Sequence, residues 1–210
     1  MDAAANASIE EILEYWFGTL EGPADLNAEK NSLWWAGGEH VDAEVRERFG
    51  ALVEQACGGQ LDHWQDTARG TLALVILLDQ FTRNLRRGTA KAFESDGKAQ
   101  GIVLAALDRG ADTELKVIEQ SFLCMPLMHA EDRDLARRCL EQFECIAERR
   151  AELGREDYPN FMPSAKTHAD IVLRFGRYPH RNEIIGRDST PEEIEFLADG
   201  GPSFGQKKKS

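Results

Sequence analysis

Two short stretches gather most of the side chains that could bind or react. They are Leu77-Leu78-Asp79-Gln80-Phe81-Thr82-Arg83-Asn84 and Arg174-Phe175-Gly176-Arg177-Tyr178-Pro179-His180-Arg181-Asn182, each an apolar segment ending in a polar knot. Arg174, Arg177, Arg181 and Arg187 face one acid, Glu183, within their span, and Arg83, Arg86, Arg87 and Lys91 stand against Asp79. In a chain of formal charge −12, two basic islands need a reason. A guanidinium offers a planar fork of donors that matches a carboxylate or a phosphate. Brought together, Asp79, Arg83, Asn84, Glu131, Arg177, Arg181, Asn182 and Arg187 would seat a small anion. His168 and His180 are the candidate proton carriers, because imidazole titrates unperturbed near neutrality. Glu131 or Asp79 would then hold the ring or an arginine.

Each of these residues also has a structural explanation. Asp79 and Arg83 are spaced as a helical ion pair, acid first. His168 shares a helical face with Ile171, Val172 and Phe175, the usual setting of a core histidine, and Arg174 follows Asp170 by one turn. Cations in a loop after a helix can bond its free carbonyls. His129-Ala130-Glu131 lacks the Pro-Cys-x-x-Cys partner of zinc deaminases. His129, His168 and His180 are too scattered to signal a metal, so neither metal nor cofactor is expected. Phosphate-binding glycine loops, nucleophile elbows and dinucleotide fingerprints are missing as well. Three readings follow: a small-anion site with or without catalysis, an interaction module clamping a peptide or protein terminus in a helical groove, and an internal polar network.

The elements that must position these residues read as helices throughout. Ser8 and Glu11 have capping-box spacing ahead of Ile9, Ile12, Leu13, Trp16 and Phe17. Val45, Phe49, Leu52 and Val53 mark a second helix, and Trp34-Trp35-Ala36-Gly37-Gly38 before it reads as a loop or short helical turn. Leu72 to Leu78 is apolar on every side, which predicts a central buried helix from about Thr67 to Thr82. Further helices are expected from Ser95, from Thr113 as a cap to a break at Pro126, from Asp132 to Leu153, from Ser164 to Phe175, and from Thr190-Pro191. No strand pair with a hairpin turn is evident. The expected fold is all-α, an antiparallel helical array in a single domain over residues 1–200, with 201–210, including Lys207-Lys208-Lys209, a flexible basic tail.

Composition narrows the class. The chain has 210 residues, 42 % hydrophobic and 30 % charged, ordinary for a globular protein. A pI near 4.9 argues against nucleic acid as a partner. No apolar run approaches the ~20 residues that span a bilayer, and the N-terminus lacks a signal peptide. Cys57, Cys124, Cys139 and Cys145 form no Cys-x-x-Cys pair, so reduced thiols and a cytoplasmic location are expected.

The Asp79-Gln80-Phe81-x-Arg83-Asn84 run, Ala92-Phe93, the block from Phe122-Leu123 to Glu131-Asp132, and the Arg174 to Asn182 motif together resemble the family called domain of unknown function 924. The resemblance continues through Gly186-Arg187-x-Ser189-Thr190-x-Glu192-Glu193 into Phe196-Leu197 and covers nearly the whole chain. Thr82 stands where proline is expected, and Met128 and Ala130 where polar residues would flank His129, which weakens a site role for that histidine. The resemblance implies a fold similar to tetratricopeptide-like helical repeats, in a superhelix, and carries no assigned activity.

Overall fold

A computed structural model describes residues 3–35, 37–155 and 159–205. Among them there is no strand, and the protein is all-α. The first helix, α1 (Ala3–Phe17), starts before Ser8, which therefore lies inside it and caps nothing. The alanines Ala3 to Ala5 are strong helix formers and nucleate the extra turn. The Trp34-Trp35 segment closes a short helix, α2 (Lys30–Trp35), and Ala36 lies outside the described residues. Next comes α3 (Glu39–Cys57), with Glu39 and Asp42 at its positive dipole end.

The central helix starts where its sequence predicts. Thr67 caps α4 (Ala68–Val75), its hydroxyl accepting from the Gly70 amide at 3.1 Å. Gly70 is required there, because a Cβ would sit 2.2 Å from the Trp64 carbonyl oxygen. Past Val75 the helix widens into a π turn, Ile76–Phe81, and closes as α5 (Thr82–Leu85). The Thr82 amide reaches the Leu77 carbonyl five residues back, and its Oγ1 donates to the same oxygen at 2.9 Å. Such wide turns are rare and concentrate at functional sites. This one contains Asp79.

The remaining helices enclose that axis. They are α6 (Asp96–Asp108), α7 (Val117–Met128), α8 (Arg133–Glu152), α9 (Met162–Phe175), the single turn α10 (Asn182–Ile185) and α11 (Pro191–Ala198). Helices α1, α6 and α7 pack on α4, while α3 lies along the π turn and α5. Every residue from Leu72 to Leu78 is fully buried. Phe81 stacks on Phe49 at 4.9 Å between ring centroids and meets Trp16 edge-on at 5.5 Å, tying α3 and α1 to the π turn. In the second half, α7, α8 and α9 pack in chain order.

Two local expectations fail around α7. Thr113 lies in a 3-10 turn, where its hydroxyl donates to the Gly110 carbonyl, and the Glu119 carboxylate instead accepts from the Lys116 amide at the start of α7. Pro126 does not break the helix, which runs on to Met128. Every residue of α7 is buried, and that packing outweighs one lost backbone hydrogen bond in the last turn. At the far end Thr190 and Glu193 form the capping box that starts α11. Residues 201–205 turn back so that Phe204 reaches α9, whereas Lys207-Lys208-Lys209 lies outside the described residues. No helix among the described residues is long and apolar enough to cross a membrane, and all four cysteines are free thiols.

Candidate functional site

The π turn delivers Asp79 into the interior with 0 % of its surface exposed. Its carboxylate collects three donors. Arg83 Nη1 lies 2.8 Å from Oδ1, Gln80 Nε2 lies 2.6 Å from Oδ2, and His129 Nδ1 lies 2.8 and 3.0 Å from the two oxygens. Burial alone would raise its pKa, but Arg83, His129 and the hydrogen bonds outweigh it and hold the group at about 2. Asp79 is therefore an ionised acceptor, which makes His129 Nδ1 the donor. In the neutral ring, Nε2 then carries the lone pair. His129 sits at the C-terminal cap of α7, so the dyad joins the two most buried helices of the molecule.

Arg83 also reaches Asp96, at the start of α6, with Nη2 2.9 Å from Oδ2. Arg181 Nη1 meets the same oxygen at 3.3 Å, and its Nη2 donates to the His129 carbonyl at 2.9 Å. Asp96 thus draws the two sequence islands into one cluster. The Arg181 guanidinium is sandwiched between Phe93 and Tyr178, 4.4 and 4.5 Å from their ring centroids. It is 6 % exposed, and burial, helped by Arg83, lowers its pKa. Burial, with Asp79 adding, raises that of Asp96 against the pull of Arg83 and Arg181. Two atoms of this buried cluster have no hydrogen-bond partner: Arg181 Nε and Asp96 Oδ1. Unpaired buried polar atoms are uncommon in folded proteins.

A second cluster adjoins the first through Tyr178. Glu131 binds Arg187 through both oxygens, at 2.5 and 2.7 Å, and accepts from the Tyr178 amide at 2.8 Å. Arg187 Nε reaches Asn182, whose amide donates to Ser189 and Glu193. Glu193 in turn takes Arg177 through both oxygens, at 2.6 and 2.8 Å. The hydrogen bond from Arg177, assisted by the Thr190 amide, holds the Glu193 carboxyl down at about 2.

His168 and His180 also lie against Tyr178, at 5.9 and 5.5 Å between ring centroids. His168 is stacked on Phe204 at 3.7 Å between centroids, and its Nδ1 donates to the Ser164 carbonyl at 2.8 Å. Burial first, and then positive neighbours, push His168 down to about 4 and His180 to about 3. Both rings are neutral at pH 7 and weak as bases there. His129, 6.2 Å from His168 between centroids, is the histidine held by a carboxylate. Among the described residues no group of three or more His, Cys, Asp or Glu is arranged to hold a metal ion.

Residues 12–201 match the family described as bacterial proteins of unknown function, DUF924. The chain belongs to that family. Among solved structures, this DUF924 protein is similar to a protein of unknown function, ATU0120, from Agrobacterium tumefaciens. The identity is 31 % and the TM-score 0.76, over 93 % of this chain and 99 % of that one. No curated protein matches it.

In this DUF924 protein Asp79, Arg83 and Arg181 meet as the sequence suggests, with Glu131, Asn182, Arg177 and Arg187 alongside. Asn84 does not join them. Its amide donates to Asp42 of α3 at 2.8 Å, where Arg87 also binds. Arg174 pairs with Glu192 rather than with Asp170. The excess positive charge expected of the two islands is absent, because Asp79, Asp96, Glu131 and Glu193 answer Arg83, Arg181, Arg187 and Arg177 one for one. Asp96 and Glu193 read in the sequence only as helix-start acids, and nothing local signals their arginine partners. His129 carried a signal in its three-residue spacing from Asp132, the cap of α8, which places it at the hinge between two helices.

Proposed function

We propose that the protein binds a small carboxylate or phosphate at the Asp79–His129–Arg181 centre, and that His129 serves there as the proton-transferring group. The observation that carries this reading is the buried Asp79 carboxylate on His129 Nδ1, which fixes the tautomer and turns Nε2 outward from the dyad. A carboxylate-held imidazole is the common arrangement of a general base. Arg181, locked between two rings with its Nε unpaired, is the anion anchor. The four arginines are already matched by acids, so an entering anion shares Arg181 with Asp96. Free thiols and an acidic surface support a cytoplasmic location and disfavour nucleic acid as a partner.

The test is a thermal-shift panel of phosphate, sulfate and carboxylates on wild type, Arg181→Lys and His129→Gln. A ligand that prefers the native state raises its melting temperature. A specific rise in wild type that both variants lose supports the site, since lysine keeps the charge but not the fork. If no anion stabilises wild type and both variants melt far lower without ligand, the cluster is a structural strut.

A second reading, a protein-interaction module, has its own observation. Trp35 is 59 % exposed although its ring packs on Phe122 and Phe161. Trp35→Ala leaves anion binding untouched on the first reading.

A further inference from the structure

A cavity of about 170 Å³ lies away from the arginine clusters, where one face of α1 meets the first turns of α4 and α7. Glu10, Leu13, Glu14 and Phe17 recur on that face at helical spacing and line it. A cavity of about 150 Å³ is enough for a benzene-sized guest. Arg69 spans the wall, bound to Glu10 at 2.9 and 2.5 Å and to the buried Glu119 at 3.1 Å. Two acids on one arginine leave that wall negative.

The other two charged groups are differently placed. Lys116 Nζ donates to the Leu20 carbonyl, a neutral partner, and Glu14 accepts only from the Thr19 hydroxyl, at 3.2 Å. Neither is bridged to another residue of the lining, where Arg69 takes Glu10 and Glu119. The cavity thus presents the Lys116 ammonium, which also faces Asp25 outside the lining, and the Glu14 carboxylate, beside the apolar Leu13 and Phe17. A simple anion would face Glu10, Glu14 and Glu119, and a simple cation would face Lys116 and Arg69. A molecule bearing both charges at short range satisfies both ends.

We infer that this cavity is a binding site for a small zwitterion with an apolar side chain, an α-amino acid. Its carboxylate lies on Lys116, its ammonium on Glu14, and its side chain on Leu13 and Phe17. The site shares no residue with the Asp79–His129 centre and stands or falls independently of it.

Calorimetric titration of the full chain with L-valine, isovalerate and isobutylamine separates the possibilities, since the last two each keep one charge and the same branched carbon skeleton. Valine is expected to bind and the single-charge analogues to bind at least about tenfold more weakly, the worth of one charge-assisted hydrogen bond. Glu14→Gln and Lys116→Gln are each expected to weaken valine by a similar factor. Lys116 also supports the start of α7, so if its variant fails to fold the exposed Glu14→Gln decides. Equal binding of an analogue, unchanged affinity in Glu14→Gln, or no binding of valine overturns the inference.

Discussion

His129 Nδ1 lies within 3.0 Å of both carboxylate oxygens of Asp79, and Arg83 holds the same carboxylate from the other side. Asp79 is fully buried, so its loss would leave a guanidinium without its nearest counter-charge in the interior. Asp79→Ala should cost roughly 3–5 kcal/mol of stability. Urea denaturation followed by circular dichroism measures it. A cost below about 1 kcal/mol would mean that the pair is not held as described.

Acid should destabilise the protein well before its carboxylates protonate. His168 and His180 are depressed from 6.5 to about 4 and about 3 in the fold, chiefly by burial. Below 6.5 the unfolded chain binds protons that the folded one refuses. The stabilisation is fully present above pH 6.5 and is lost as pH falls toward the folded values, on the order of 3 kcal/mol for His168 and 5 kcal/mol for His180. Urea midpoints at pH 7.5 and pH 5 should differ in that sense, and the difference should shrink in His168→Gln. Asp79 and Glu193, held near 2 from 3.8 and 4.5, lose their contributions only at lower pH.

Phe204 keeps water from His168. It is held at φ 49, a costly backbone for a side chain of its size, and is 36 % exposed. Phe204→Ala should therefore raise the His168 pKa toward 6.5, as read from imidazole resonances across a pH titration. An unchanged value would place the burial elsewhere.

The arginine pairs should differ in worth according to their burial. Arg187→Ala removes a bidentate partner from Glu131 and a contact to Asn182, and should cost roughly 2–4 kcal/mol. Arg174→Ala breaks an exposed pair with Glu192 and should stay within about 1 kcal/mol. Equal costs would contradict this division.

The helices and the central burial of Leu72 to Leu78 were legible because periodicity and caps are local signals. The π turn was not, since it arises from the fit of Asp79 and Thr82 to their surroundings rather than from a residue pattern. The meeting of the two islands followed from the cost of burying arginine unpaired. Their neutrality was hidden, because Asp96 and Glu193 come from separate helix starts. The spacing of His129 from Asp132 places it between two helices but not beside Asp79, which lies fifty residues away in sequence and is brought to it only by the folded chain.

Anion binding at the Asp79–His129–Arg181 centre is tested most directly by isothermal titration calorimetry of wild type, Arg181→Lys and His129→Gln. For the anion that gives the largest thermal shift, wild type should bind, and both variants should bind at least about tenfold more weakly. No binding to wild type, or an affinity unchanged in both variants, would contradict the account.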